Sequence, residues 1–521
     1  VEADIFNDIL GPVMIGPSSS HTAGPVRLGR MARELSEGIK KIDVNFSKTG
    51  SYAGAYKGQG SDLGFIAGLL GWDTDDERIP EARNYADKEG FKISFNIVDT
   101  KFSHPNTAVI EFNTGKGKKI TIETVSCGGG TVKITGIDGI GINIEGDCNE
   151  LLLFTVLGTD DIRIVSDDIL REFDAKVISF NSFFNSVKGV INYKLSGDID
   201  PVMVKKFASI EMITKVCTVS PVLPVISGNG SKVPYTNAKE MAEYYGDKDV
   251  PLWEAALLYE KCRSGWDEKK IFDYCHKILI IMENSVRSGI ALSSDRNFTF
   301  LTPKAAEINK SMQKGAFVPS GILEYATVIA TAVTEYNRSM GCVVASPTAG
   351  SCGVIPAVLL SLKQEKGLER DVCIKGLLAA GLIGVFIYHQ ATFAAETGGC
   401  QAENGSASSM AAAALTDMMG YGYTAGVRAA ALAMQNMLGL ICDPVCGSVE
   451  IPCISRNASA AANAVVSANM VIGGFDPFIP LDEVINAMYE VGQMMPRELK
   501  CTVLGGLCTT ITAKNVNKQC Y

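Results

Sequence analysis

The chain has 521 residues, 46% hydrophobic and 20% charged, with a net charge of −9. That composition suits several well-buried globular units, and the lack of a long basic run argues against nucleic acid or an anionic membrane as a partner. The first residues, "VEADIFNDIL", have neither the basic start nor the apolar core of a secretory signal, and the most apolar run, "LLAAGLIGVFIY" (377–388), is shorter than a bilayer requires; a cytoplasmic protein is expected.

Residues 1–148 mix strand and helix signals. "DVNF", "KISFNIV", "AVIEFN" and "KITIETVS" alternate or run β-branched, as strands do, while "PVRLGRMARELSEGI" carries apolar residues at helical spacing. An α+β domain is expected. Residues 149–220 then give strand "LLLFTV", helix "IRIVSDDILREF", strands "VISFNSFF" and "GVINYKLS", helix "DPVMVKKFAS" and strand "ITKVCTV". The order βαββαβ is that of a ferredoxin-like module, and it resembles the ACT regulatory domain, although its first βα turn, "LGTDD", lacks a glycine-rich ligand loop. A spacer or dimerisation module fits the same pattern. Residues 221–240, rich in Pro, Gly, Ser and Asn, are expected to be a linker. From 241 to 521 the chain is mainly helical, with Ala- and Met-rich stretches such as "SSMAAAALTDMM".

Fifteen cysteines are many for a reducing compartment, where structural disulfides are rare. Cys442, Cys446 and Cys453 crowd into "CDPVCGSVEIPC", and Cys400 sits in "ETGGCQAENGSAS", whose glycines let backbone approach a bulky centre. Thiolates suit zinc or an iron–sulfur cluster, but the spacing matches neither a CxxC zinc pair nor a ferredoxin run, and buried apolar thiols fit equally.

Four stretches, "GPSSSHTAGP" (16–25), "SPTAGSCGVIP" (346–356), "GGCQAENGSASSMAAAA" (398–414) and "CDPVCGSVEIPCISRNA" (442–458), closely resemble the iron–sulfur-dependent L-serine dehydratases. The resemblance spans nearly the whole chain, as if the family's β part, an ACT domain and the α catalytic part were fused. It implies a [4Fe–4S] cluster on Cys400, Cys442 and Cys453, no pyridoxal phosphate, and a small amino acid, L-serine first, as substrate. Some relatives add a C-terminal cysteine as a displaceable fourth ligand; Cys520, in "NKQCY", is the counterpart. Cys446 and Cys352 are read as buried thiols. A homodimer is expected.

Beside the cluster the resemblance marks Ser18, Ser19, Ser20 and Thr22 as substrate-binding hydroxyls and His21 as the group near the chemistry. Taken alone, "GPSSSHT" reads first as a helix cap, with Ser18, Ser19 or Ser20 as the capping residue. Ser346, Thr348, Gly350 and Ser351 form a polar turn suited to a carboxylate. Asn404 and Ser406 follow Cys400, and Arg456 follows Cys453, where it is able to pair with a carboxylate. His104, in "SHPN", is a further candidate, whereas His276 and His389 lie in helical segments and are read as structural. Two departures stand out. "KGQGSD" puts Gln59 where relatives carry a histidine, and an amide is no base. "SSDRNFTFLTPKAAEI" (293–308) replaces a segment expected to be basic or glycine-rich, leaving Lys304 as its cation. A lyase acting on cysteine, threonine or another 2-substituted acid is the neighbouring reading, and a non-catalytic regulatory protein the reading of another class.

Overall fold

The structure is a computed structural model that describes residues 2–36, 38–114, 119–156, 160–185, 188–228, 230–293 and 300–520, the side chains of 160–164 and 517–520 excepted. The turn at 157–159 and residues 294–299 of the departing segment therefore lie outside the described residues, as does the Cys520 side chain.

The alternating pattern of "KIDVNFS" places Ile42, Val44 and Phe46 on a buried face. This strand, Lys41–Ser47, pairs in parallel with Lys92–Val98 through a helical crossover and antiparallel with Thr107–Asn113. The sheet continues through Lys119–Gly128, Thr131–Ile137 and Ile140–Ile144. The last two strands form a hairpin closed by Asp138 and Gly139, both left-handed, the conformation that an Asp-Gly hairpin turn requires. The helices Gly24–Leu35 and Ser61–Leu70 pack together beside this sheet.

A second sheet has the strand order Ile213–Val219, Asn149–Val156, Lys188–Leu195, Val177–Phe184, all pairs antiparallel, with helices Asp160–Glu172 and Pro201–Ala208 in the two crossovers. This is the βαββαβ order expected from the sequence. Among the described residues between Ser220 and Asn237 there is neither helix nor strand, yet the chain is pinned: Asn7 donates from Nδ2 to the Val225 carbonyl (2.8 Å) and accepts from the Val225 amide (2.9 Å).

The helical part is built around Ser406–Met418, all thirteen residues of which are buried. Its alanines let Arg370–Gln390, Tyr423–Gln435 and Cys453–Ile472 close in on it, and its interior hydroxyls are satisfied, Ser408 on the Ala460 carbonyl, Ser409 on that of Ala430 and Thr416 on that of Ala413 in the helix itself. Arg370–Gln390 extends well beyond its apolar run; at 21 residues it is the one helix, among those described, long and apolar enough to cross a membrane, and 78% of its most apolar window is buried inside the molecule.

The N-terminal residues belong to this helical core rather than to the first sheet. Ile5 and Ile9 pack where Gly381 and Gly384 leave room: a Cβ at those glycines would stand 2.6 and 2.1 Å from the isoleucine methyls. Val13–Ile15 then pairs with Cys342–Val344. The segment "GPSSSHT" leaves this small sheet and is thereby held at the junction of the α+β and helical parts.

Candidate functional site

Four loops meet at that junction. The first runs through Ser19–Ala23, a π-type turn that Ser18 caps by accepting from the His21 amide (3.1 Å). Such turns are rare and often mark functional positions. His21 is buried, with Ser20 Oγ 2.9 Å from Nδ1 and Ser51 Oγ 2.9 Å from Nε2, so two hydroxyls hold the ring at both nitrogens. Tyr52 meets the imidazole edge-on at 5.0 Å. Burial lowers the His21 pKa, against the opposing charge of Glu396, and the ring is neutral at neutral pH.

The second loop is "SPTAGS". Thr348 Oγ1 donates to Glu403 Oε2 at 2.5 Å, and Gly350 lies so close to the same carboxylate that a Cβ would be 2.6 Å from it. Asn457 ties this loop to the helix Cys453–Ile472, donating to the Gly350 carbonyl (2.8 Å) and accepting from the Gly353 amide (3.0 Å).

The third loop carries Cys400 into a second π-type turn, Gln401–Gly405. Gly399 before it is left-handed, and a Cβ there would lie 2.8 Å from Met495 Sδ, so only glycine lets Cys400 approach. The fourth is the cysteine loop. Its middle is anchored from outside by Arg338, whose Nε donates to Ser448 Oγ (2.9 Å) and Glu450 Oε1 (3.0 Å). Its ends, Cys442 and Cys453, are left facing a cleft whose non-atom space, part of it open to solvent, is about 510 Å³. Cys453 is also the first residue of its helix, where the positive end of the helix dipole favours a thiolate.

The structure thus brings Ser18, Ser19, Ser20, His21, Thr348, Gly350, Cys442 and Cys453 onto one cleft, together with Gln59, Glu396, Glu403 and Cys501. The ligating atoms of Cys400, Glu403 and Cys442 lie within 4.8 Å of one another. Asn404 Oδ1, Ser406 Oγ and Ser346 Oγ are buried without a hydrogen-bond partner, which is costly unless a bound group supplies one.

Several expected contacts lie elsewhere. Lys304 is exposed and paired with Glu307 (3.0 Å), because its backbone amide is drawn to Glu335 at the start of a surface helix; it does not line the cleft. Thr22 is buried and its hydroxyl is spent on the Gln59 carbonyl (2.6 Å). Ser351 bonds within its own turn, to Thr348. His104 is half-buried outside the lining, accepting from the Asn106 amide (3.1 Å). Arg456 faces the thiols, 3.6 Å from Cys400 Sγ, and pairs with Asp443 (2.9 Å). His276 meets Arg370 and His389 accepts from the Ala3 amide, both structural contacts. Cys352 is a buried free thiol, but Cys446 is engaged in a disulfide.

The sequence reading passed over four residues. Glu403 stands inside the quoted "GGCQAENGSAS", three residues after Cys400, and was within reach. Glu396 opens the quoted "ETGGCQAENGSAS", four residues before Cys400, whereas Ser51 and Cys501 reach the site only through tertiary packing. Glu396 accepts from Asn106 Nδ2 at 2.5 Å, and burial raises the Glu403 pKa to about 7.

The donors suit a metal centre of soft-ligand type. Burial and mutual crowding hold the Cys442 and Cys453 thiols well above their ordinary pKa, Cys442 chiefly through the neighbouring sulfurs of Cys400 and Cys501 and Cys453 chiefly through burial. Thiols gathered in this way need a cation to become thiolates together.

A family model described as "Serine dehydratase alpha chain" matches residues 232–508, and one described as "Serine dehydratase beta chain" matches residues 6–90. The chain belongs to the serine dehydratase family. It is 36% identical over 288 residues to the probable L-serine dehydratase alpha chain of Bacillus subtilis, covering 95% of that protein and 55% of this one. Two relatives match over nearly the full length of both chains: the L-serine dehydratase of Streptomyces coelicolor at 28% identity (95% of this chain, 97% of the relative) and L-serine dehydratase 2 of Escherichia coli at 26% (98% of each). The serine dehydratase α match contains all three loops of the helical part that reach the cleft, and the β match contains the "GPSSSHT" loop.

Proposed function

We propose that the chain deaminates L-serine to pyruvate and ammonia by β-elimination, with an iron–sulfur cluster on Cys400, Cys442 and Cys453. The observation that carries this reading is the convergence of Cys442 and Cys453 with the hydroxyls of Ser18–Ser20 and a neutral His21 on one cleft, with Cys400 packed beside Cys442. When bound, the cluster supplies a Lewis-acidic iron that makes hydroxide a tolerable leaving group. The chain's own residues bind and orient. Ser18 and Ser19 offer hydroxyls to the substrate carboxylate, Thr348 holds Glu403 beside them, and the buried, unpartnered Asn404 and Ser406 oxygens, on the turn after Cys400, accept from its ammonium. His21, fixed by Ser20 and Ser51, takes the α-proton. Loss of that proton and of the β-hydroxyl leaves an enamine, which tautomerises to an imine and is hydrolysed to pyruvate and ammonia. Arg456, close to Cys400, balances negative charge on the thiolates.

Gln59 favours a second reading of substrate, since a buried amide replaces the imidazole of relatives on the same cleft; cysteine, threonine or another small 2-substituted acid is the alternative. In the domain reading that accompanies this function, residues 1–148 and 241–521 enclose the site, 221–240 links them, and the βαββαβ module at 149–220 is ACT-like, serving regulation or dimer formation. An anaerobic assay of the reconstituted chain on these acids tests the proposal. Pyruvate from L-serine is expected, and His21→Gln should lower kcat by about 10²–10⁴-fold. Stoichiometric zinc without sulfide, or no turnover of any acid by a fully loaded protein, would overturn it.

A further inference from the structure

A fourth thiol stands on the cleft, one that no motif announces. Cys501 follows "MPRELK", and the backbone holds it in place from both sides: the Cys442 amide donates to the Leu499 carbonyl (2.8 Å), and the Cys501 amide donates to the Cys442 carbonyl (2.9 Å). This short bridge fixes Cys501 alongside Cys442. Its own backbone is left-handed, φ 58°, a conformation disfavoured for a non-glycine residue. Strain of that kind persists where surrounding structure over-determines it, and it clusters at ligand clamps. The half-buried side chain lies in one cluster with Cys400 and Cys442, and it lines the cleft with Cys442 and Cys453. Gln59 Nε2 points at the Cys501 sulfur (3.9 Å) while also donating to the Gly447 carbonyl (3.2 Å), so the amide that replaces an imidazole aims an N–H at this sulfur.

We propose that Cys501 is a fourth sulfur ligand of the metal centre, closing the position that Cys400, Cys442 and Cys453 leave open, with Gln59 as its hydrogen-bond donor. The inference rests on the iron–sulfur reading above. Ligation releases the Cys501 thiol proton to solvent and leaves the resting centre held by four thiolates. Cys501 does this from a clamped turn within the described fold, so the role does not fall to the C-terminal Cys520.

The test uses the full chain and its Cys501→Ser, Cys501→Ala, Cys520→Ser and Gln59→Leu variants, reconstituted anaerobically with iron and sulfide. Iron and acid-labile sulfide should each reach about four per chain in the wild type and in every variant, since three cysteines still anchor the cluster. On exposure to air, both Cys501 variants should lose iron at least about tenfold faster than the wild type, with a three-iron paramagnetic signal appearing in step, whereas Cys520→Ser should match the wild type. Gln59→Leu should fall between them. Equal rates of iron loss in the wild type and both Cys501 variants, or rapid loss confined to Cys520→Ser, would overturn the assignment of Cys501. A wild type that takes up zinc and no sulfide would instead overturn the cofactor reading on which the assignment stands.

Discussion

Cys400, Glu403 and Cys442 form one group whose ligating atoms lie within 4.8 Å of one another; Asp147, Cys148 and Glu150 form another. By residue type and burial the two look alike, and either passes as a metal site. What separates them is the cation already present. In the second group Lys194 Nζ sits among the carboxylates, 3.2 Å from Glu145, 3.7 Å from Asp147 and 3.7 Å from Glu150, and Lys133 adds a contact to Glu145 (2.9 Å). Asn192 Nδ2 donates to the other Glu150 oxygen (2.7 Å). These residues come from strands of both sheets, so the network staples the six-stranded sheet to the βαββαβ module. The first group has Arg456 at its edge and a cleft at its centre. Buried acids and thiols therefore signal a binding site where the protein's own cation stands at the edge and leaves the centre open, not where it fills the centre.

The sharpest break of this comparison is to remove one thiol from each group. Cys442→Ala should reduce iron and sulfide to near zero after anaerobic reconstitution and abolish pyruvate formation. Cys148→Ala should leave both unchanged, since its sulfur only approaches Glu150 (3.9 Å) in a network already neutralised by lysine. Iron loss on changing Cys148 would mean that the second group, too, holds metal.

The distinction was only partly legible beforehand. The element order of the βαββαβ module was read from runs of β-branched and aromatic residues such as "VISFNSFF" and "ITKVCTV" separated by helical stretches. The hairpin 131–144 was missed although Asp138-Gly139 is a strong turn signal, since its strands "TVKITGI" and "IGINI" are short and interrupted by glycine. At the site, Cys400, Cys442 and Cys453 came from resemblance and not from spacing. Cys501 had no local signal, because its place depends on a bridge to Cys442, fifty-nine positions earlier in the chain. The misplacement of Lys304 has the opposite cause. A cation in a departing segment drew attention, while its true partner, Glu307, lay three residues on in the next helical turn.

Removing the cation of the second group should cost less than removing the thiol of the first, and should cost it in stability. Lys194→Met leaves Asp147 and part of Glu145 uncompensated in a region where Lys194 itself is only 11% exposed. Truncating one member of such a buried network costs about 3 kcal/mol. The midpoint of thermal unfolding should fall accordingly, while the iron and sulfide content of the folded protein stays at the wild-type level. A variant as stable as the wild type would show that the lysine is not what closes this group.

The smallest effect expected is a change in pH dependence at Glu150. Two lysines face three carboxylates, and Glu150, the most deeply buried of these, is the one disfavoured as an anion: burial raises its pKa from 4.5 to about 7, against the pull of Lys194, whereas Glu145, despite its burial, is driven down to about 2 by Lys133 and Lys194. A raised folded-state pKa means that the folded protein keeps a proton the unfolded chain has released. The stability tied to that proton is complete below pH 4.5 and is lost as pH rises through about 7. Glu150→Gln removes the titration but keeps a side chain able to bond Asn192. Relative to the wild type, the variant should therefore gain on going from pH 5 to pH 8, by of the order of 2 kcal/mol, read from denaturant unfolding at each pH. A constant difference across that range would show that Glu150 is ionised throughout, and that the second group carries one more negative charge than its two lysines balance.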